Sequence, residues 1–251
     1  DNMKLKNKTI LITGASRGIG YQTAYEVAKE GANVIINYNN SIKQAKELEQ
    51  LLKKEFGTKT LLVKADIKNE QEIIEMVNNS IKHFQKIDVL INNAAICKDT
   101  TFEDKTKENF MEILETNLVG TFLVSKYVSE HMLKEKSGKI INIASTNATY
   151  SYYPESLDYD ASKAGIISLT HNLALHLSPY ITVNAVSPGW TITDMNKNLS
   201  KEQIEKEEAK ILLKRFAQPQ EIAKVITFLS SDDANYINNQ IINVDGGEKY
   251  E

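Results

Sequence analysis

Short apolar runs alternate with amphipathic stretches along almost the whole chain. Residues 9–13 and 33–37 are dominated by aliphatic side chains, the pattern of strands buried on both faces. Between them, residues 18–30 repeat apolar positions at helical spacing. Ile42, Ala45, Leu48, Leu51, Leu52 and Phe56 make a second helix face, residues 60–64 a third strand, and Ile73, Ile74, Val77, Ile81 and Phe84 a third helix face. Further strands are predicted at 89–91, 139–143, 181–184 and 240–244, with helices near 107–134, 158–177 and 219–230. Seven strands with intervening helices predict an α/β fold: a doubly wound, mostly parallel sheet covered on both faces. No Pro/Gly-rich linker, low-complexity tract or repeat divides the chain, so residues 3–251 are expected to form a single domain. Its ligand is expected at the carboxyl ends of the strands, where the strand order reverses.

The segment 192–216 interrupts this rhythm. Its stretch 200–209 is rich in charge and helical in pattern but has few apolar anchors. It reads either as a solvated surface helix or as a mobile lid over a substrate.

Composition narrows the partners. With 41% hydrophobic and 25% charged residues the chain falls in the ordinary globular class, and no apolar run approaches the roughly 18 residues of a membrane span. A net charge of −3 carries no nucleic-acid footprint. The single cysteine, Cys97, has no intrachain disulfide partner, which fits a reducing cytoplasm. No secretory signal precedes the first strand, and Asp1 and Asn2 before Met3 read as a tag remnant. Only two of the 30 basic residues are arginines, Arg17 and Arg215, and lysine cannot copy their planar fork.

The turn between the first strand and first helix carries Gly14, Gly18 and Gly20 in a Gly-x-x-x-Gly-x-Gly spacing. A strand before it and a helix after it point to dinucleotide binding, with the pyrophosphate on the helix N-terminus. The second strand ends without the carboxylate that would accept from an adenine ribose and repel a 2′-phosphate. A guanidinium at Arg17 beside Asn37 and Asn39 suits a 2′-phosphate instead, so NADP(H) is expected in preference to NAD(H).

Tyr159 and Lys163 lie four residues apart, which stacks them on one helix face. Their free pKa values, about 10 and about 10.4, leave neither ready for proton transfer near neutrality. A nearby cation favours the phenolate, and lowering the tyrosine by roughly three units takes ~4 kcal/mol. That is a large demand on one lysine, and the positive ring of an oxidised nicotinamide would assist.

Taken together, these motifs resemble the short-chain dehydrogenase/reductase family over residues 5–247. The glycine turn matches the family's cofactor turn. Asp66 and Ile67 are similar to its adenine contact, residues 92–95 (Asn-Asn-Ala-Ala) to its Asn-Asn-Ala-Gly element, and Pro188 with Gly189 to its nicotinamide-side turn. Asn117, Ser145, Tyr159 and Lys163 match its catalytic residues. The resemblance implies a Rossmann-type fold and cofactor contacts from Gly14, Ser16, Arg17, Gly18, Ile19, Gly20, Asn37, Asn39, Asp66, Ile67, Asn93, Ala94, Ala95, Tyr159, Lys163, Pro188, Gly189, Thr191 and Thr193. It implies no metal. It also implies that Tyr159 protonates a carbonyl oxygen while the cofactor delivers hydride, with Ser145 hydrogen-bonded to that oxygen. Lys163 would bind the nicotinamide ribose and lower the Tyr159 pKa, and Asn117 would hold a water linking Lys163 to solvent. Thr146 is an alternative hydroxyl to Ser145, and Asn117 has the alternative of bonding its own helix backbone.

Two features depart from the family pattern. Ala95 stands where glycine is usual, and the loop after Ser145 carries Tyr150, Tyr152 and Tyr153, which either line a substrate pocket or pack structurally. Residues 215–223 and 232–247 are similar to 3-oxoacyl-[acyl-carrier-protein] reductases, which implies a small or thioester carbonyl substrate carried on acyl carrier protein. The helix end at 175–179 lacks a docking arginine, however, and residues 134–136 are only partly basic. A sugar, steroid or other small-alcohol dehydrogenase is the alternative, and a non-catalytic nucleotide sensor a more remote one. The family likeness also implies a homotetramer, through the helices near 107–134 and 158–177 and the last strand.

Overall fold

The computed structural model describes residues 3–248; Asp1 and Asn2, the expected tag remnant, and residues 249–251, the end of the expected domain, lie outside them. In chain order the elements are β1 (Thr9–Ile12), α1 (Gly18–Lys29), β2 (Asn33–Tyr38), α2 (Ile42–Phe56), β3 (Thr60–Lys64), α3 (Glu70–Phe84), β4 (Val89–Asn92), α4 (Lys107–Leu114) and α5 (Gly120–Glu135). They continue with β5 (Gly138–Ile143), α6 (Leu157–Leu177), β6 (Ile181–Pro188), α7 (Lys201–Lys210), α8 (Pro219–Ser230) and β7 (Ile241–Val244). The seven strands form one parallel sheet in the order β3-β2-β1-β4-β5-β6-β7. The order reverses between β1 and β4, and this opens the crevice where such sheets take ligands.

The strands are apolar on both faces because both faces are covered. Ile10, Ile12, Val34 and Ile36 pack with Val27, Leu48, Leu52, Ile222 and Ile226 from α1, α2 and α8. Their neighbours Leu11, Ile35, Leu90 and Ile140 face the other way, against Met76, Val77, Val124, Val128 and Ala174 from α3, α5 and α6. Each fully buried aliphatic side chain contributes about 1.5–3 kcal/mol, so neither face of β1 has room for a polar residue without a partner.

Three boundaries differ from the periodicity. β6 runs on to Pro188 because the polar Asn184 is satisfied within the strand: its amide donates to the Ile237 carbonyl at 2.9 Å and accepts from the Gln240 N–H at 3.0 Å. The predicted helix at 107–134 is interrupted by a π-helical turn, Glu115–Val119, which contains Asn117. Residues 201–210 are helical, closed by a capping box between Ser200 and Gln203, and expose every side chain but a few.

Candidate active site

The glycine turn is shaped by close approach of backbone to backbone. Gly14 has φ +61°, and a Cβ there would lie 2.8 Å from Ala94 Cα. At Gly20 a Cβ would lie 2.6 Å from the Gly14 carbonyl and run into the Asn93 amide. The Thr13 hydroxyl accepts from the N–H groups of Asn93 (3.0 Å) and Ala94 (3.1 Å), while the Asn93 amide donates to the carbonyls of Thr13 (3.2 Å) and Gly14 (3.1 Å). These bonds tie the end of β4 to the turn after β1 across the point of reversal. Arg17 occupies the N-cap of α1 without a side-chain capping bond, leaving the first N–H groups of the helix available to an anion. A cradle that only glycine fits, beside an uncapped helix start, suits a dinucleotide pyrophosphate.

Other predicted cofactor residues gather around this cradle. Ser16 and Ile67 are buried, Ile19 and Asp66 half-buried, Arg17 is exposed at the start of α1, and Asn39 is exposed just after β2. Gly189 follows β6 with its backbone against Asp245, where a Cβ would lie 2.9 Å from Cα. The Thr191 hydroxyl donates to the Gly189 carbonyl at 3.0 Å, and Thr193 faces Gly18.

Asn37 has a different role from the one expected. It is 2% exposed; its amide oxygen accepts from Gly14 N–H at 3.1 Å and its NH2 donates to the carbonyls of Ala65 (3.2 Å) and Val63 (3.4 Å). It therefore braces the glycine turn against β3, and its side chain has no polar atom left for a 2′-phosphate. Arg17 and Asn39 remain exposed. Ala95 needs no special backbone, since its φ is not among the positive values found in the chain.

The proton-handling residues converge at the carboxyl ends of β5 and β6. Tyr159 and Lys163 lie on one face of α6, with the ammonium 5.6 Å from the centre of the phenol ring. Lys163 is 4% exposed and donates to the Ile143 carbonyl at 2.7 Å, which anchors it to the end of β5. Burial pushes its pKa down to about 8. Ser145, two residues beyond β5, caps a short turn through Asn147 N–H at 3.2 Å and hydrogen-bonds the Tyr159 phenol. The carbonyl of its neighbour Thr146 holds the turn through the N–H groups of Thr149, Tyr150 and Ser151. The expected lowering of Tyr159 is not what this protein shows. Burial is the dominant influence and pushes the phenol well above its ordinary value, the contact with Ser145 opposing it.

Asn117 ties two elements together. Its oxygen accepts from Ile96 N–H at 2.8 Å, and its NH2 donates to the Ile96 carbonyl (2.9 Å) and to Ser162 Oγ (3.1 Å). Ser162 in turn donates to the Tyr159 carbonyl at 2.7 Å. The side chain bonds neither its own helix nor Lys163; both amide hydrogens are engaged, and the oxygen keeps a second lone pair. It joins the turn after β4 to the helix that bears Tyr159, and the π-helical turn supplies the local backbone for this reach.

The tyrosine-rich loop is held by carboxylates. Tyr150 bonds to Asp245, Ser151 donates to Glu248 at 2.6 Å, and Tyr153 donates to Glu207 of α7 at 2.8 Å. Tyr152 is exposed and bonds only within its own turn. Trp190 donates to the Tyr153 hydroxyl at 3.2 Å and stacks on Phe216. The charge-rich helix is solvated over most of its length, as one reading of its sequence expects, and one buried carboxylate joins it to the loop after Ser145. Asp160 pins the same loop, accepting from the Asn147 amide (2.7 Å) and from Tyr153 N–H (3.0 Å). Asp158, Asp160 and Glu207 went unremarked in the sequence because acidic residues in a helix are ordinarily solvated. Their one signal is that two of them flank Tyr159 in the first turn of its helix. Among the described residues no group of three or more His, Cys, Asp and Glu converges as a metal site.

Comparison with known proteins agrees with this geometry. A family model described as Enoyl-(Acyl carrier protein) reductase matches residues 14–249. The 3-oxoacyl-[acyl-carrier-protein] reductase of Synechocystis sp. is 41% identical over 245 residues, covering 97% of both chains. The chain belongs to the short-chain dehydrogenase/reductase family. The 3-oxoacyl-[acyl-carrier-protein] reductase FabG of Staphylococcus epidermidis is 39% identical, covering 96% of this chain and 98% of its own. Among solved structures, a dehydrogenase/reductase from Sinorhizobium meliloti superposes with a TM-score of 0.92 at 30% identity, covering 98% of this chain and 96% of its own. A short-chain dehydrogenase from Burkholderia cenocepacia in complex with NADP gives 0.91 at 29%, covering 97% and 98%. As a member of this family the protein is an oxidoreductase of carbonyl and alcohol groups that uses a nicotinamide cofactor.

Proposed function

We propose that this protein reduces a 3-oxoacyl thioester, presented on acyl carrier protein, to the secondary alcohol at the expense of NADPH, with Tyr159 as the proton donor. The observation that carries this reading is the Ser145–Tyr159 contact beside the anchored Lys163. Two hydroxyls side by side give a carbonyl oxygen a donor that transfers its proton and a donor that stabilises the developing charge. The buried phenol holds its proton at neutral pH, which is the state a reduction requires. A bound nicotinamide supplies hydride. Gly14, Gly18 and Gly20 hold its pyrophosphate, Lys163 its ribose, and Arg17 with Asn39 a 2′-phosphate, so NADP(H) is preferred over NAD(H). Asn117 acts as a positioning residue through Ile96 and Ser162.

The thioester assignment is supported by the printed activities of the Synechocystis and Staphylococcus relatives. A sugar or steroid dehydrogenase is the second reading, favoured by the absence of an arginine at 175–179. One panel separates them: initial rates with NADPH and with NADH on acetoacetyl-coenzyme A, crotonyl-coenzyme A, glucose and a steroid ketone. NADPH-dependent turnover of the acetoacetyl thioester is expected. Turnover of glucose or the steroid alone, or equal kcat/KM with NADH, overturns the substrate or the cofactor reading respectively. Tyr159→Phe is expected to keep NADPH binding and lose reduction, whereas a nucleotide sensor would be indifferent to it. We further propose a cytoplasmic homotetramer. The exposed apolar residues Val119, Phe122, Leu175, Phe228 and Tyr236 lie on or near the helices and strand expected at its interfaces. Sedimentation equilibrium at the monomer mass would refute the assembly. No helix among the described residues is long and apolar enough to cross a membrane.

A further inference from the structure

Asp158 and Asp160 flank Tyr159 in the first turn of α6, and both are buried. Asp158 has a cation: the Lys105 ammonium donates to both of its oxygens at 2.9 Å. Asp160, 8% exposed, pairs with no lysine, arginine or histidine among the described residues. Its charge is met by the loop after β5 instead. Oδ1 accepts from the Asn147 NH2 at 2.7 Å and from the Ser156 hydroxyl at 3.4 Å, and Oδ2 accepts from Tyr153 N–H at 3.0 Å. Burial pushes its pKa up in spite of these bonds. A buried carboxylate without a cation is costly to keep. An asparagine would fit the same space, but it would have to turn its own NH2 towards one of the N–H donors. Only a carboxylate accepts on both sides at once.

Asn147, which the carboxylate holds, in turn holds Ser145. Asn147 N–H donates to Ser145 Oγ at 3.2 Å, and Ser145 hydrogen-bonds the Tyr159 phenol. The bond from Asn147 takes up a lone pair of the serine and leaves its hydrogen for an oxygen acceptor. Two hydrogen bonds and one residue therefore separate Asp160 from the Ser145 hydroxyl, and the bond from Tyr153 N–H fastens the far side of the same loop. We infer that Asp160 is a positioning residue for Ser145: acting through Asn147, it fixes where the serine hydroxyl sits beside the phenol. This rests on the reading in which Ser145 and Tyr159 share one carbonyl oxygen. The Asp160 charge also acts on the Tyr159 phenol directly, opposing its ionisation. The two routes differ in one respect: only the first disappears when Ser145 is removed.

A double-mutant cycle reads this difference. kcat and KM for NADPH-dependent reduction of acetoacetyl-coenzyme A are measured for the parent, Asp160→Asn, Ser145→Ala and the double variant. Asp160→Asn is expected to lower kcat about ten- to a hundredfold, with KM and NADPH affinity within about twofold of the parent. In the Ser145→Ala background the same substitution is expected to lower kcat by less than about threefold, because the group it positions is gone. A loss there as large as in the parent background would mean that Asp160 serves the fold or the phenol alone, and would overturn the inference. Parent-like kcat in Asp160→Asn would overturn it as well. Asn147→Ala cuts the same path outside the helix, and it decides the question if Asp160→Asn folds poorly. It too is expected to lower kcat in the parent background and to leave Ser145→Ala unchanged; equal losses in both backgrounds count against the inference. Failure of the underlying reading looks different: Ser145→Ala by itself would then reduce the carbonyl at the parent rate.

Discussion

Replacing Lys163 by methionine separates its service to the reaction from its cost to the fold. The ammonium is 4% exposed, has one hydrogen-bond partner in the Ile143 carbonyl, and its pKa falls from 10.5 to about 8 because burial penalises the charge. Between pH 8 and 10.5 the unfolded chain carries a proton on this lysine that the folded protein has released. Unfolding therefore takes up a proton in that window, and raising the pH stabilises the folded state. The shift is 10.5 − 8 = 2.5 units, or about 3 kcal/mol at 1.36 kcal/mol per unit, an order-of-magnitude ceiling. Below pH 8 both states are protonated and the contribution of Lys163 is constant. The other lysines and tyrosines titrate in both proteins and cancel in the difference. Urea unfolding of the parent and of Lys163→Met at one fixed protein concentration, at pH 7, 8, 9 and 10, reads this difference. The parent is expected to gain on the variant as pH rises through the window, by up to about 3 kcal/mol. A gap that stays flat, or that moves in favour of the variant, would refute the burial argument. The variant is also expected to lose carbonyl reduction, leaving a protein without the activity but freed of a buried charge.

Two further substitutions probe the cofactor side. Gly14→Ala places a β-carbon on a backbone of φ +61° and 2.8 Å from Ala94 Cα. The left-handed conformation alone costs about 1–2 kcal/mol, and the turn must shift away from β4, so NADPH affinity measured by fluorescence titration should fall about tenfold or more; unchanged binding would show that the cradle tolerates the shift. Arg17→Ala removes the exposed guanidinium at the start of α1 proposed to meet the 2′-phosphate and should lower the NADPH-to-NADH ratio of kcat/KM by roughly tenfold. A ratio that holds would move the cofactor preference to other residues.

Much of this architecture is written locally. β1 and β2 carry consecutive apolar residues, 10–12 and 34–36, because helices cover both sheet faces, and that double burial is visible in one dimension. The glycine spacing at 14, 18 and 20 is equally local, since only glycine allows the backbone approach found there. The resemblance to a known family placed Ser145 and Lys163 beside Tyr159, and the fold brings them together. Asn37 and Asn117 make bonds that their motifs do not announce, for one common reason. An asparagine in a motif looks like a ligand contact, but its amide bonds whichever backbone lies nearest in space, here Gly14 and Ile96.

Tertiary structure alone decided the electrostatics. The spacing of Tyr159 and Lys163 determined that the two groups share a helix face, and charge on its own would then lower the tyrosine. Burial reverses that sign, because removing water from the phenol opposes its ionisation more strongly than its neighbours favour it. The partnership of Lys105 with Asp158, 53 residues apart, and of Tyr153 with Glu207, 54 apart, has no signature along the chain. Periodicity records which side of an element meets the core, whereas such contacts depend on which loops fold over one another at the edge of the sheet.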